Sequence, residues 1–182
     1  MKIELITGGK MPQRMTKGAV GFDVFARKVD IHETGFESTI HLGFKIDCNF
    51  ETMFTGRRDK DAALMNFAAM LLPRSGWGTR YGFRLLNTTG IIDSDYRGEV
   101  IMKVAFNECP PKLLEFANSD CNGCFNLQRN FEGCPAAEAC QPMKQPRVGQ
   151  MLIVPCYVGE LQQVDSLDKT ERGEGGFGST DK

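Results

Sequence analysis

Short apolar runs broken by polar turns govern the first part of the chain: Ile3-Glu4-Leu5-Ile6, then Phe22-Asp23-Val24-Phe25-Ala26, then Thr39-Ile40-His41-Leu42-Gly43-Phe44-Lys45-Ile46. Runs of this length, rich in β-branched and aromatic side chains and spaced by turn residues, predict an all-β domain. From Thr55 to Met70 the pattern changes. Gly56-Arg57-Arg58-Asp59-Lys60-Asp61 leads into Ala62-Ala63-Leu64-Met65-Asn66-Phe67-Ala68-Ala69. Its alanine content and the spacing of Leu64, Phe67, Ala68 and Leu71 predict a short amphipathic helix, read as an insertion at about 52–69. Strand character returns in Leu71-Leu72-Pro73, in the run 100–106 and again in 147–155. Pro110-Pro111-Lys112-Leu113-Leu114-Glu115-Phe116-Ala117 reads as a short helix entered through prolines, within a second insertion at about 109–145. The glycine-rich end, 168–182, is expected to be a flexible tail.

Composition narrows the classes. A chain of 182 residues suits a single domain carrying insertions. With 41% apolar and 25% charged residues it is ordinary for a soluble globular protein, and a net charge of −1 gives no general attraction to nucleic acid or an anionic membrane. No apolar run approaches the ~20 residues of a membrane span, and the charged N-terminus lacks a secretory core, so the cytoplasm is the expected compartment. Seven cysteines would be reduced there. Cys48 and Cys156 lie in apolar runs, as buried small hydrophobes do. Cys121-x2-Cys124-x9-Cys134-x5-Cys140 could complete a tetrahedral thiolate shell for a structural Zn²⁺; unpaired thiols, disulfides and an iron-sulfur cluster are the alternatives.

The candidate chemistry centres on Gly90-Ile91-Ile92-Asp93-Ser94-Asp95-Tyr96-Arg97-Gly98-Glu99-Val100. An apolar pair leads into Asp93, so this carboxylate should sit where a buried strand opens to solvent and can accept a proton from water. Tyr96, three residues on, can lay its ring against a ligand; the plainer alternative is a hairpin whose acids only make turn hydrogen bonds. Other segments offer anion-binding groups. Pro73-Arg74-Ser75-Gly76 combines a forked donor, a hydroxyl and freed backbone N–H groups. In the tail, Arg172, Ser179 and Thr180 suit phosphate and Phe177 could cover a base.

Taken in order, five segments resemble the five motifs of the trimeric deoxyuridine triphosphate nucleotidohydrolases, the dUTPases. Val20-Gly21-Phe22-Asp23-Val24 resembles the first motif, Pro73-Arg74-Ser75-Gly76 the second, residues 87–99 the third, Arg147-Val148-Gly149-Gln150 the fourth and residues 172–180 the fifth. The resemblance implies a jelly-roll subunit, a homotrimer with active sites shared between subunits, and cleavage of dUTP between its α- and β-phosphates with Mg²⁺. It places Asp93 on the sugar 3′-hydroxyl and the attacking water, with Gln150 and Asn87 helping to hold water and uracil. Tyr96 would exclude a 2′-hydroxyl, and the backbone of the 87–96 hairpin, Gly90 and Ile92 included, would read the base. Arg74, Ser75 and Gly76 would hold phosphates and Asp23 would reach Mg²⁺ through water. Phe177 and Gly178 would close over the nucleotide, with Arg172, Ser179 and Thr180 on the outer phosphates.

Two departures from the family pattern stand out. Trp77 replaces the usual aliphatic residue of the second motif, and a larger ring there is expected to alter packing without touching the phosphate groups. The second insertion lies where some bacteriophage members of the family carry a partner-binding segment, which makes it a candidate docking surface. Two other functions are kept beside the hydrolase: a dCTP deaminase on the same fold, and a nucleotide-sensing regulatory protein.

Overall fold

Alternation builds the strands. In Glu37–His41, Ser38 and Ile40 are buried while their neighbours are partly exposed, the period-two pattern of a strand with one face on a core. The computed structural model describes residues 1–48, 65–118 and 144–174. In chain order its elements are β1 (Lys2–Leu5), β2 (Phe22–Phe25), β3 (Lys28–Ile31), β4 (Glu37–His41), β5 (Phe44–Asp47), β6 (Met65–Pro73), α1 (Ser75–Tyr81), β7 (Arg84–Leu85), β8 (Gly90–Ile92), β9 (Ile101–Ala105), α2 (Pro111–Ala117) and β10 (Arg147–Tyr157). Among the described residues, the strands form two four-stranded antiparallel sheets, ordered β2-β10-β6-β8 and β3-β4-β9-β7, and a β1-β5 pair. Val24, Ile40, Leu71, Met102, Val104, Val148 and Met151 fill one core. This is the all-β, jelly-roll type of architecture expected from the sequence. No helix among the described residues is long and apolar enough to cross a membrane.

The helix expected around residues 62–71 is absent from the described part of that segment. Residues 65–73 are β6, paired to β10 on one side and to β8 on the other. The run Phe67-Ala68-Ala69-Met70-Leu71-Leu72 is apolar on both faces because it is a central strand, and helical spacing cannot be told from continuous apolar character in so short a run. Two neighbouring strands outweigh the helix propensity of alanine. The insertion at about 52–69 therefore loses 65–69 to the sheet, while 51–64 lie outside the described residues.

The helix expected after Pro110 is present as α2. It packs against β3 and buries Leu113 and Phe116, so the first residues of the 109–145 insertion belong to the core. Cys121, Cys124, Cys134 and Cys140 lie outside the described residues. Cys48 is buried as expected, whereas Cys156 is only half-buried near the end of β10.

Candidate functional site

The end of β8 carries the first half of the site. Gly90 pairs with Leu71 of β6, and a Cβ on Gly90 would come to 3.2 Å of the Leu71 Cβ, so glycine lets the two strands approach. β8 stops at Ile92, and Asp93 is the next residue, exposed as the chain leaves the sheet. The turn that follows is closed by the Tyr96 N–H donating to the Asp93 carbonyl at 3.2 Å. Arg97 donates to the carbonyls of Ser94 (2.7 Å) and Tyr96 (3.0 Å), and the Asn66 amide donates to the Ser94 hydroxyl at 2.7 Å, tying the turn to β6. The Tyr96 hydroxyl donates to the Glu99 carbonyl at 3.1 Å, folding the ring back over Gly98.

Beside this turn runs a groove. A recess of about 120 Å³ is lined by Asp93, Tyr96 and Glu99 together with Ile91, Ile92 and Ile101. The same three isoleucines also line a cleft of about 390 Å³ that reaches Leu86, Asn87, Gly90 and Lys103. Asn87, Gly90, Ile92, Asp93 and Tyr96 are thus brought to one continuous surface. An apolar slot with the Asp93 and Glu99 carboxylates at one end has the shape and polarity to take a flat heterocycle joined to a sugar.

The second half of the site lies where β2, β6 and β10 meet. Asp23 stands opposite Gln150 across the β2-β10 pair. Its carboxylate, 7% exposed, accepts from Arg147 Nη1 at 2.7 Å and from the Gln150 amide at 3.2 Å. Residues three apart in a regular strand face opposite ways. A register shift between Arg147 and Gly149 adds the residue that turns both side chains toward Asp23. With its amide nitrogen on Asp23, Gln150 leaves its oxygen to accept from water.

Arg74 caps the start of α1 and its guanidinium lies 5.3 Å from the Trp77 ring. Burial and then the neighbouring Arg147 lower the pKa of its guanidinium; Asp23 pulls the other way, and Arg80 adds the smallest lowering. Ser75 and Gly76 are exposed in the first helical turn, where backbone N–H groups have no intrahelical acceptor. Arg74 and Arg147 open on a pocket of about 520 Å³ that Lys10, Lys112 and Lys144 also line. Five cations against the single carboxylate of Glu115 on that lining make it a place for an anion.

Four of these groups do not stand out in the sequence: Arg147, Lys10, Lys112 and Lys144. Arg147 was read only as part of a motif; its pairing with Asp23 depends on the register shift, which has no sequence signature. Lys10, near the N-terminus, and Lys112 and Lys144, at either end of the second insertion, are remote from Arg74 in sequence, so only the fold unites them. Arg172 is exposed within the described part of the tail, while Phe177, Gly178, Ser179 and Thr180 lie beyond it.

The dUTPase family profile matches residues 7–110. The deoxyuridine 5′-triphosphate nucleotidohydrolase of Nautilia profundicola is 31% identical over 172 residues, covering 94% of this chain and 91% of the relative. That of Desulfitobacterium hafniense is 30% identical, covering 94% and 87%. Among solved structures, the dUTPase of Staphylococcus bacteriophage 80alpha with dUpNHpp superposes with a TM-score of 0.62 at 19% identity, covering 98% of this chain and 96% of that one. A mutant dUTPase of phage phi11 of S. aureus, described with a structural Mg(II) ion, superposes with a TM-score of 0.56 at 18% identity, covering 91% and 96%. The solved structures share the fold; the profile and the sequence relatives place this chain in the dUTPase family.

Proposed function

We infer that the chain hydrolyses dUTP to dUMP and pyrophosphate, limiting uracil incorporation into DNA and supplying dUMP for dTMP synthesis. The observation that carries this reading is the exposed Asp93 at the end of β8, beside Tyr96 and at the mouth of the apolar groove that reaches Asn87. In this reading uracil enters the groove between Asn87 and Ile92, and its edge meets backbone groups of the hairpin, with Gly90 keeping the wall thin. Tyr96 lies against the deoxyribose where a 2′-hydroxyl would collide. Asp93 holds the 3′-hydroxyl and the attacking water and takes the water's proton as the new O–P bond forms at the α-phosphate. The bond from the α-phosphorus to the bridging oxygen breaks, and pyrophosphate leaves. Gln150 gives its amide oxygen to the same water.

Such a reaction needs positioning and charge neutralisation more than covalent help. Arg74, Ser75 and Gly76 meet the phosphates, and the cationic pocket takes the outer ones. The tail closes over the nucleotide, with Phe177 and Gly178 over uracil and Arg172, Ser179 and Thr180 on the phosphates. Among the described residues, no group of three or more His, Cys, Asp and Glu is placed to cage a metal. Asp23, whose oxygens already accept from Arg147 and Gln150, fits a hydrated Mg²⁺ held through water, since that ion needs few carboxylates when phosphate oxygens bind it. Bound there, Mg²⁺ would neutralise phosphate charge.

The hairpin residues and the cationic pocket line separate recesses of one subunit. A homotrimer in which the groove of one subunit faces the cations of the next would complete the site, as the family resemblance implies. The chain is read as one domain acting in the cytoplasm, that of the host where a phage encodes it. The second insertion is read as a surface for a protein partner, ordered by a structural Zn²⁺ on Cys121, Cys124, Cys134 and Cys140. Metal analysis of protein purified without chelator should give about one zinc per subunit; a value near zero removes that ion.

Pyrophosphate release measured across the deoxynucleoside triphosphates and UTP tests the activity. Release from dUTP alone is expected. Ammonia from dCTP without pyrophosphate from dUTP would replace the hydrolase with a deaminase, and dUTP binding without turnover would favour a sensor.

A further inference from the structure

Glu99 ends the turn that carries Asp93 and Tyr96, and its carboxylate is held by an unusual number of donors. Arg27 donates to it through Nε at 3.0 Å and Nη2 at 3.2 Å, and the Gly43 backbone N–H donates at 3.0 Å. His41 Nδ1 lies 3.1 Å from its other oxygen. The opposite ring nitrogen, Nε2, lies 3.2 Å from Asp30, which pairs in turn with Lys28 at 2.8 Å. Both His41 nitrogens face carboxylate oxygens, so the ring bridges Asp30 and Glu99. Lys28, Asp30, His41, Glu99 and Arg27 therefore form one chain of polar contacts from β3 across the end of β4 to the turn. The side chain of Glu99 is fixed from three directions.

The main chain of Glu99 is what Tyr96 holds. The tyrosine hydroxyl donates to the Glu99 carbonyl, and a Cβ on Gly98 would overlap the hydroxyl end of the ring. Tyr96 is 42% exposed and has little packing to define its ring on the outer side. Its position is set by that one hydrogen bond, by the glycine and by the residue beneath. We propose that Glu99, clamped by Arg27 and His41, is a positioning residue that fixes Tyr96 against the sugar and so sets the discrimination between deoxyribose and ribose. This rests on reading the groove as the dUTP site.

The test compares kcat/KM for dUTP and UTP in the full chain, in Glu99→Gln, in Tyr96→Phe and in the double variant. The ratio of the two constants does not depend on the fraction of protein that is folded, so destabilisation alone does not move it. Each single variant should lower the dUTP preference roughly tenfold, the scale of one hydrogen bond. The double variant should lose no more than either single one, because Glu99 acts through the Tyr96 hydroxyl. His41→Asn, which leaves Glu99 and Tyr96 in place, should lower the ratio by a smaller factor and carries the test if Glu99→Gln does not fold. An unchanged ratio in Glu99→Gln or, failing its folding, in His41→Asn overturns the proposal, and so does multiplication of the two losses in the double variant. A wild-type protein that turns over UTP as well as dUTP would instead overturn the reading of the site itself.

Discussion

Arg147 donates to one oxygen of Asp23 at 2.7 Å while Gln150 donates to the other at 3.2 Å, so a single buried carboxylate orients an arginine and an amide at once. The same carboxylate also offsets the crowding of Arg74 by Arg147. Asp23→Asn keeps the shape and removes the charge. The Arg147 side chain is 40% exposed and recovers water when released, so the loss should lie below that of a fully buried pair, at about 1–3 kcal/mol. Thermal unfolding should show a lowered Tm, and titration with Mg²⁺ should show a raised requirement for the ion. An unchanged Mg²⁺ requirement would make Asp23 a structural partner of Arg147 only.

Asp93 has the opposite environment. It is exposed, and the turn around it is held by the backbone of Tyr96 and by Arg97 and Asn66 rather than by its own carboxylate. Asp93→Asn should leave stability within about 0.5 kcal/mol of wild type. Turnover should fall by roughly 10²–10⁴, the usual contribution of a positioned base. Equilibrium binding of dUTP should persist, since the asparagine can still meet the 3′-hydroxyl. Turnover at wild-type rate in this variant would assign the water to another group.

Much of this architecture was legible in the residues, and the gaps have physical causes. β2, β4, β9 and β10 follow from alternation and β-branched content, and α2 from its prolines. The first part of β6 reads as helix from the sequence because a central strand, apolar on both faces, has no period to distinguish it. The Asp93–Tyr96 turn stood out because an apolar pair ends abruptly at an acid. The role of Glu99, by contrast, cannot be read from that stretch alone. Its partners Arg27 and His41 lie 72 and 58 residues away, on segments that pair only through the sheet. The same holds for Lys112 and Lys144 beside Arg74.

Trp77 shows a local departure with a reach beyond packing. The ring is 6% exposed, meets Phe83 edge-on at a centroid distance of 5.2 Å, and carries the Arg74 guanidinium over it. The expectation that this ring acts on packing alone is therefore corrected: it also backs the guanidinium of Arg74, the arginine proposed to meet the phosphates. Trp77→Leu should cost about 2–4 kcal/mol through the space it leaves in the core. Arg74 would also lose its cation–π support, worth about 0.5–1 kcal/mol where exposed. The measured signature should be a lower Tm together with a higher KM for dUTP at nearly constant kcat. A lower Tm with unchanged KM would confine Trp77 to packing.

The chain of charges beneath the turn also predicts how the fold responds to acid. Burial alone would raise the Glu99 carboxyl, but hydrogen bonds from Arg27 and His41, with the Gly43 N–H, outweigh it and hold the group below its ordinary value. Asp30 behaves alike: burial is overcome by Lys28 and His41. A carboxyl whose pKa is depressed on folding contributes its full stabilisation above the unfolded value, about 4.3 for Glu and 3.9 for Asp, and loses it as pH falls through the lower folded value. Urea unfolding followed from about pH 6 down to about pH 3 should therefore show stability declining below about pH 4.5. Glu99→Gln should start less stable and then decline less steeply, because one of the protons taken up on unfolding has been removed. An acid limb as steep in Glu99→Gln as in wild type would place the linkage on other carboxylates and leave Glu99 without a role in it.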